Sequence, residues 1–547
     1  MEMHFATLWE QISDTIGDRT ALIHGDNKVT WSELDDRAAR VAGFLTSRGH
    51  AVDSKAGIYA YNCNEHIEAE YASFKMRAIP INVNYRYLAD ELVYLLDNSD
   101  SEVIFYQACF TDRIAEIRAK LPNLKTLIQI QDSSGNELLE GAFDYETIIA
   151  ETAPMPRIDR KWDDIYMLYT GGTTGMPKGV MYYNGEFAES QFAQFEAYGI
   201  SPPPTTLEGA MAAITKLAAA GALPITLSAC PLMHGTGMWG GVFSPLSLGG
   251  TVVTLDNSSF KADELWEAVE RNKVTNLVIV GDAFGNPMLT SLKKAKEENR
   301  SYDLSSVRSI MSSGVMWSHE VKKGLLDFAD MVLTDALAST EGSMARSMTT
   351  RENIEGTAEF ELMDTSKVFD EDDKEIVAGS GKTGLLANGG RCPVGYFKDP
   401  VKSAATFREI DGQRYSFPGD FATVEADGKV KLLGRGSMCI NTMGEKVFPE
   451  EVEEAIKTHP AVYDCLVAGV KDPKFGERVT AVVSIRPGMS ADETDITDHV
   501  KARLSGYKKP KNVFFVELVQ RATNGKADYK WAKAKAAEEA EKLGVGA

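Results

Sequence analysis

The residue types best suited to chemistry are concentrated in one stretch, Tyr169-Thr170-Gly171-Gly172-Thr173-Thr174-Gly175-Met176-Pro177-Lys178-Gly179-Val180. Gly171, Gly172 and Gly175 let backbone N–H groups approach an anion, Thr170, Thr173 and Thr174 add hydroxyl donors, and Lys178 supplies positive charge. That combination suits a phosphate cradle. Flexible linkers seldom carry such hydroxyl density together with a Pro-Lys-Gly stop. The apolar run Ile165-Tyr166-Met167-Leu168 just before it predicts a strand, so the loop is expected at a strand end, where open α/β sheets bind ligands. A second stretch, Gly379-Ser380-Gly381-Lys382-Thr383-Gly384, only imitates a nucleotide loop. A Walker loop needs Gly five positions before Gly381, where Ile376 stands. A dinucleotide loop should open a helix, whereas Leu385-Leu386-Ala387 runs straight into Asn388-Gly389-Gly390, so a β-turn is expected.

The elements that must position the first loop are legible as α/β texture. Lys28-Val29-Thr30-Trp31 reads as a strand and Ser32 as the N-cap of a helix with apolar Leu34, Ala38, Val41 and Leu45 on one face. A helix from Ala262 to Arg271, presenting Leu265, Trp266 and Val269, feeds the run Leu277-Val278-Ile279-Val280, expected as a strand buried on both faces of a parallel sheet. Between about 358 and 435 short strands and turn residues predict a small β-rich subdomain. The expected organisation is an N-terminal domain over 1–435, with α/β subdomains of parallel sheet, and a small mobile α+β domain over 436–547. In the latter, Pro449 opens a helix, VTAVVSI and NVFFVEL are strands, and the Ala/Glu/Lys-rich end is a surface helix.

A chain of 547 residues with 44% hydrophobic and 25% charged composition is a folded globular protein. Its net charge of -21 disfavours nucleic acid and anionic membranes as partners. All of that deficit falls before residue 436, because the remainder balances 17 basic against 17 acidic residues. Anion handling must therefore rest on local features. Between Lys501 and Lys535 ten basic residues face only Glu517 and Asp528, a local excess of +8 that would suit a phosphate-rich molecule. The six cysteines show no metal or disulfide spacing, and the N-terminal MEMHFATLWEQ is not a secretory signal, so a cytoplasmic protein is expected. The uncharged stretch Leu217 to Leu255 is broken by three prolines and seven glycines, which argues for buried strands and turns and against a transmembrane segment.

The loop from Thr170 to Lys178 resembles that of the adenylate-forming (AMP-binding) superfamily, which includes acyl-CoA synthetases, aryl-CoA ligases, luciferases and peptide-synthetase adenylation domains. Further segments follow in that family's order: Cys230-Pro231-Leu232-Met233-His234-Gly235-Thr236-Gly237, Ser312-Ser313-Gly314-Val315, Asp335-Ala336-Leu337-Ala338-Ser339-Thr340-Glu341, Pro418-Gly419-Asp420, Gly434-Arg435, the stretch from Asn441 to Glu453, and Asn524-Gly525-Lys526. Together with Val278-Ile279-Val280-Gly281-Asp282 they look most like the bacterial branch containing steroid side-chain and fatty acyl-CoA ligases. The resemblance implies activation of a hydrophobic carboxylic acid by ATP as an acyl-adenylate, with release of pyrophosphate, and then transfer to CoA.

In that reading Thr170, Gly171, Gly172, Thr173, Thr174, Gly175 and Lys178 hold phosphates, and Thr174 with Glu341 places Mg²⁺. Thr340 lies near the α-phosphate. Gly314, Val315, Leu337, Ala338 and Ser339 line the nucleotide site, and Asp420 and Arg435 handle the ribose. His234 gates the acyl pocket, with Gly235, Gly281 and Asp282 on the substrate side. Lys526 bridges the attacking carboxylate and the α-phosphate from the mobile domain, which then rotates to present Gly444, Glu445 and Lys446 for thiol entry. The chain departs from the family pattern at Ala336, Leu337 and Ala338, where glycines around an aromatic are usual, at Ser437 in the hinge, and at Met443. Two other readings stay open at this point: transfer of the acyl group to a carrier protein or other acceptor, and a regulatory nucleotide binder without catalysis. The oligomeric state stays open too, a homodimer being one reading.

Overall fold

The structure, a computed structural model, describes residues 2–170, 176–315, 317–354, 359–442, 445–472, 476–504, 506–522 and 526–542. At its centre the strands Thr20–His24, Thr251–Thr254, Ile225–Ser228, Asn276–Ile279, Ser309–Ser313 and Val332–Ser339 lie parallel in that spatial order. Leu227, Leu277, Ile310 and Leu333 stand in register across four of these strands and are fully buried. Parallel neighbours need crossover connections, and helices Ala262–Asn272, Gly281–Glu297 and His319–Leu326 supply them. Leu265, Trp266 and Val269 pack into this core, as the 3.6-residue spacing predicts. A second parallel sheet runs Ile79–Asn82, Lys55–Tyr59, Ser101–Gln107, Thr126–Ile130 and Phe143–Asp144.

Two local expectations are corrected. The helix Trp31–Ser47 is capped by Thr30 and not by Ser32: the Thr30 hydroxyl accepts from Glu33 N, and the Glu33 carboxylate accepts from Thr30 N, a reciprocal capping box. Trp31 accordingly belongs to the helix; Leu34, Ala38, Val41 and Leu45 are buried as expected. The strand Ile165–Thr170 does form, but not in a parallel sheet. It pairs antiparallel with Lys178–Tyr183, with Thr170 opposite Lys178.

Beyond Ser339 the chain doubles back as Gly342–Thr349, and Glu359–Leu362, Val430–Arg435, Asp420–Val424 and Thr383–Asn388 continue the hydrogen bonding of the same sheet. The region of short strands is thus joined to the parallel core edge to edge. The imitation nucleotide loop is a turn leading into the strand Thr383–Asn388, with φ of +72° at Gly379 and +69° at Gly381. In the C-terminal unit, Val462–Asp472, Gly476–Ile485 and Asn512–Val516 form a sheet with helices Pro449–Lys457 and Glu493–Lys501 against one face and Tyr529–Lys542 against the other. The last helix buries only the stripe Ala532, Ala536 and Ala540. Among the described residues no helix is long and apolar enough to cross a membrane.

One polar cluster sits deep in the N-terminal region. Glu10, on the helix Phe5–Ile16, accepts from Lys75 Nζ at 2.9 Å and from two guanidinium nitrogens of Arg160, each at 2.8 Å. Lys75 also donates to Asp35 at 2.6 Å. Glu10, Lys75 and Arg160 are all buried, so their charges depend on one another.

Candidate active site

A cavity of about 250 Å³ lies at the C-terminal ends of the parallel strands. It is lined there by Cys230, Val280, Ser313, Gly314, Ala336 and Ala338, the position where open α/β sheets bind ligands. Of the residues proposed from sequence, the structure brings Thr170, His234, Gly235, Gly314, Ala338, Ser339, Thr340 and Lys526 to its walls. Lys526 arrives from the C-terminal unit. A Cβ added at Gly314 would stand 3.6 Å from Lys526 Cε and 3.9 Å from Thr236 Oγ1. Gly314, at φ +90°, is one position where the backbone requires glycine, since a Cβ there would meet its neighbours only at ordinary contact distance. The C-terminal unit also meets the rest of the chain where Arg486 Nη2 pairs with Glu320 Oε2 at 2.8 Å.

A larger cavity, about 530 Å³, is lined by Asp14, Asp35, Lys75 and Arg157. These groups already neutralise one another through Lys75–Asp35 at 2.6 Å and Arg157–Asp14 at 2.6 Å, so it is the ion cluster's margin and not a second reaction site.

Other sequence-proposed residues do not line the smaller cavity. Glu341 Oε1 accepts from Tyr396 Oη at 2.7 Å, its N–H donates to Ser339 Oγ, and its carbonyl accepts from Ser416 Oγ. One contact thus holds the carboxylate and two hold the backbone of Glu341 beside Thr340, whose own carbonyl accepts from Tyr182 Oη at 2.8 Å. Lys178 Nζ lies 3.0 Å from Asp399 Oδ2. Asp420 is buried and faces Arg435 in register across an antiparallel pair. Leu337 and Val315 pack into hydrophobic clusters. Gly281 donates to Ser312 Oγ at 2.9 Å, and Asp282 Oδ1 accepts from Ser318 N at 2.9 Å and Ser318 Oγ at 3.1 Å. Those bonds give Gly281 and Asp282 structural work behind the cavity. Gly171, Gly172, Thr173, Thr174, Gly175, Met443 and Gly444 lie outside the described residues, as do the side chains of Arg435, Ser437, Glu445 and Lys446.

Several positioning residues carried no local signal. Asn82 donates through Nδ2 to the carbonyls of Tyr169 and Met233 at 2.8 and 2.6 Å, and accepts from Tyr169 N at 2.6 Å. Asn62 does the same for the neighbouring turn, donating to Cys230 O and accepting from Leu232 N, both at 2.8 Å. One side chain thus ties the hairpin strand to the loop bearing His234. Asn82→Ala leaves those backbone groups short of a partner, at about 1–3 kcal/mol. We expect kcat/KM to fall about tenfold, measured by steady-state kinetics, with a smaller change in melting temperature.

His234 is held neutral. Burial, aided by the charges of Lys526 and Arg86, pushes its pKa from 6.5 down to about 3. His66, whose ring nitrogens are both buried, is pushed by burial to about 4, with the backbone of Tyr61 and Ala60 opposing the shift. In the unfolded chain both would take up protons below pH 6.5, which the native state refuses. Stability is therefore unaffected by these groups above that pH and falls as pH drops from 6.5 toward 4. Urea unfolding midpoints followed across that window should show this decline, and His66→Phe should make it shallower.

The basic stretch of the C-terminal unit is partly neutralised at home. Lys508 pairs with Glu451 at 2.7 Å, Arg521 with Asp464 at 2.6 Å, and Lys535 with Glu539 at 2.8 Å. Its effective positive charge is smaller than the sequence excess suggests.

Comparison with known proteins accounts for this arrangement. Residues 8–394 match the model of the AMP-binding enzyme family, and residues 451–526 match that of the AMP-binding enzyme C-terminal domain. The chain belongs to the AMP-binding enzyme family. Within it, the protein is 38% identical to a 3-oxocholest-4-en-26-oate–CoA ligase of Rhodococcus rhodochrous, over 97% of this chain and 96% of that one. It is equally 38% identical to a medium/long-chain-fatty-acid–CoA/3-oxocholest-4-en-26-oate–CoA ligase of Mycolicibacterium smegmatis, with the same coverage. Among solved structures it is similar in fold to an anthranilate CoA ligase in complex with anthranoyl-AMP, with a TM-score of 0.83 at 20% identity over 99% and 98% of the two chains. ATP-bound MatB from Rhodopseudomonas palustris gives a TM-score of 0.80 at 23% identity, over 98% and 100%. AMP-binding enzymes of this kind thus share the large parallel-sheet domain followed by a small C-terminal one.

Proposed function

We propose that this AMP-binding enzyme is an ATP-dependent acyl-CoA ligase acting on a hydrophobic carboxylic acid of the fatty or steroid side-chain type. A carboxylate is a poor electrophile. Its activation as an acyl-adenylate, with pyrophosphate leaving, gives the CoA thiol a carbonyl it can attack with AMP as leaving group. The observation that carries this reading is the entry of Lys526, from a separate unit, over Gly314 into a cavity walled by Ser339 and Thr340. Two anions must meet there, and a lysine placed between them offsets their repulsion and aligns the attack.

In this reading Thr170 and the loop to Lys178 hold the terminal phosphates, Asp420 and Arg435 the ribose, and the walls from Gly314 and Ala338 the base. Mg²⁺ is usually bound by one or two carboxylates together with substrate phosphates, and the single oriented carboxylate of Glu341 fits that demand. Glu341 and Thr174 would hold the ion, which when bound neutralises phosphate charge. Neutral His234 can sit beside an apolar acyl chain without a buried charge. The division at residues 435 and 436 lets the C-terminal unit swing, removing Lys526 and presenting Gly444, Glu445 and Lys446 to the thiol. The same reading places the protein in the cytoplasm, where ATP and CoA are available.

The test is a panel of carboxylic acids, from short fatty acids to aryl and steroid acids, read by AMP formation with and without CoA. AMP formation that depends on both acid and CoA is expected. AMP release indifferent to CoA would transfer the adenylate to another acceptor, and none with any acid would remove catalysis from the account.

A further inference from the structure

Arg391 is an uncommon wall for an apolar pocket. It lies in a turn 201 residues from Ser190, to whose Oγ its Nη1 donates. Its guanidinium carbon stands 3.8 Å from the ring centroid of Phe187 and 5.3 Å from that of Tyr182. Phe187 in turn meets Trp239 edge to face at 5.1 Å. All of these but Tyr182 and Ser190 line the cavity, with Met311 completing this aromatic side. Stacking engages the faces of a guanidinium and leaves its N–H donors in the plane of the group. Ser190 takes one of them. Nε is buried and has no partner among the described residues, and Arg391 forms no ion pair with a carboxylate among them. A buried donor left unmet costs free energy, and Arg391 is itself partly withdrawn from solvent. Burial accordingly draws the Arg391 pKa below its ordinary value, with Glu186, Tyr182 and Tyr166 as the nearby groups that oppose this.

If Arg391 only propped the aromatic wall, a neutral side chain of similar length would do so without the unmet donor. Nor does its place suit the reacting carboxylate, which the ligase reading gives to Lys526 over Gly314 on the wall of Ser339 and Thr340. We propose that Arg391 is a specificity-determining residue that hydrogen-bonds a second oxygen acceptor of the acid, a carbonyl or carboxylate remote from the reacting carboxyl group. This rests on the acyl-CoA ligase reading and narrows its substrate to oxygenated acids.

The experiment compares kcat/KM for three acids of equal chain length: unsubstituted, ω-oxo and α,ω-dicarboxylic. The wild type should prefer at least one oxygenated acid over the plain one by tenfold or more, the oxo and dicarboxylic arms showing whether a neutral carbonyl or a second carboxylate is read. In Arg391→Met the oxygenated-to-plain ratio should fall at least tenfold, and Arg391→Lys should restore part of it; thermal melting reports on folding of both. A wild-type ratio near one overturns the proposal whatever the variants do, while plain-acid turnover leaves the ligase reading standing. An Arg391→Met enzyme that loses activity equally on all three acids also overturns it, because the residue then serves the common reaction. No CoA-dependent AMP formation with any acid sinks both readings.

Discussion

Lys526→Ala is expected to lower acid-dependent pyrophosphate–ATP exchange by about a thousandfold. One ion pair at about 4 Å and an effective dielectric near 20 contributes roughly 4 kcal/mol, and each 1.36 kcal/mol is about a factor of ten in rate. Lys526 reaches the cavity wall at Gly314, and the residues across from it, Ser339 and Thr340, supply hydroxyl and backbone groups but no cation. Thioester formation from supplied acyl-adenylate should suffer far less, since that half-reaction uses the rotated C-terminal unit. Equal losses in both halves would show that the substitution disturbs the fold or that Lys526 does not act on the adenylation step. His234 would gain a little basicity in the same variant, because the lysine's charge is one cause of its lowered pKa.

The second large effect is on stability. Glu10→Ala removes the carboxylate shared by Lys75 and Arg160 and leaves Arg160, with its nitrogens buried, without its bidentate partner. Breaking a buried pair from one side costs about 3–5 kcal/mol. Lys75 keeps Asp35 and loses less. Chemical denaturation should show a drop of that size, and a change under about 1 kcal/mol would mean that water or a rearranged Asp35 already compensates the cations. The helix carrying Glu10 packs Phe5 and Trp9 into the main hydrophobic cluster, so the loss should be felt by the whole N-terminal domain.

What was legible in the sequence was local. The two-sided burial of Leu277 to Ile279, the helix stripe of Leu265, Trp266 and Val269, and the turn at Gly379 to Gly381 depend on residues within a few positions of one another. His234, Gly314, Thr340 and Lys526 could be named because the segments that carry them resemble those of the adenylate-forming superfamily and follow in its order. Two hydroxyl residues, Thr30 and Ser32, flank Trp31 as possible caps, and only the bond between Thr30 N and the Glu33 carboxylate distinguishes Thr30. The antiparallel pairing of Ile165–Thr170 with Lys178–Tyr183 was hidden for a related reason. An apolar run predicts a strand but not the direction of its neighbour, and Lys178–Tyr183 reads as apolar whether parallel or antiparallel.

Asn82, Asn62 and Arg391 were out of reach for a different cause. Their partners lie 87 and 151, 168 and 170, and 201 residues away. An asparagine ending a strand or an arginine in a glycine turn looks ordinary until the fold closes around it. The charge excess between Lys501 and Lys535 errs in the opposite direction, since its sequence count includes lysines and arginines that the fold spends on Glu451, Asp464 and Glu539.

The central claim is that the cavity beneath Lys526 joins a carboxylic acid to CoA through an adenylate. The most direct measurement is the mass of the products formed from ATP, CoA and a medium-chain carboxylic acid by the purified protein. The account predicts an acyl-CoA thioester with AMP and pyrophosphate in equal amounts, and none of the three without the acid. ADP and phosphate in place of AMP and pyrophosphate, or AMP without thioester, would contradict it.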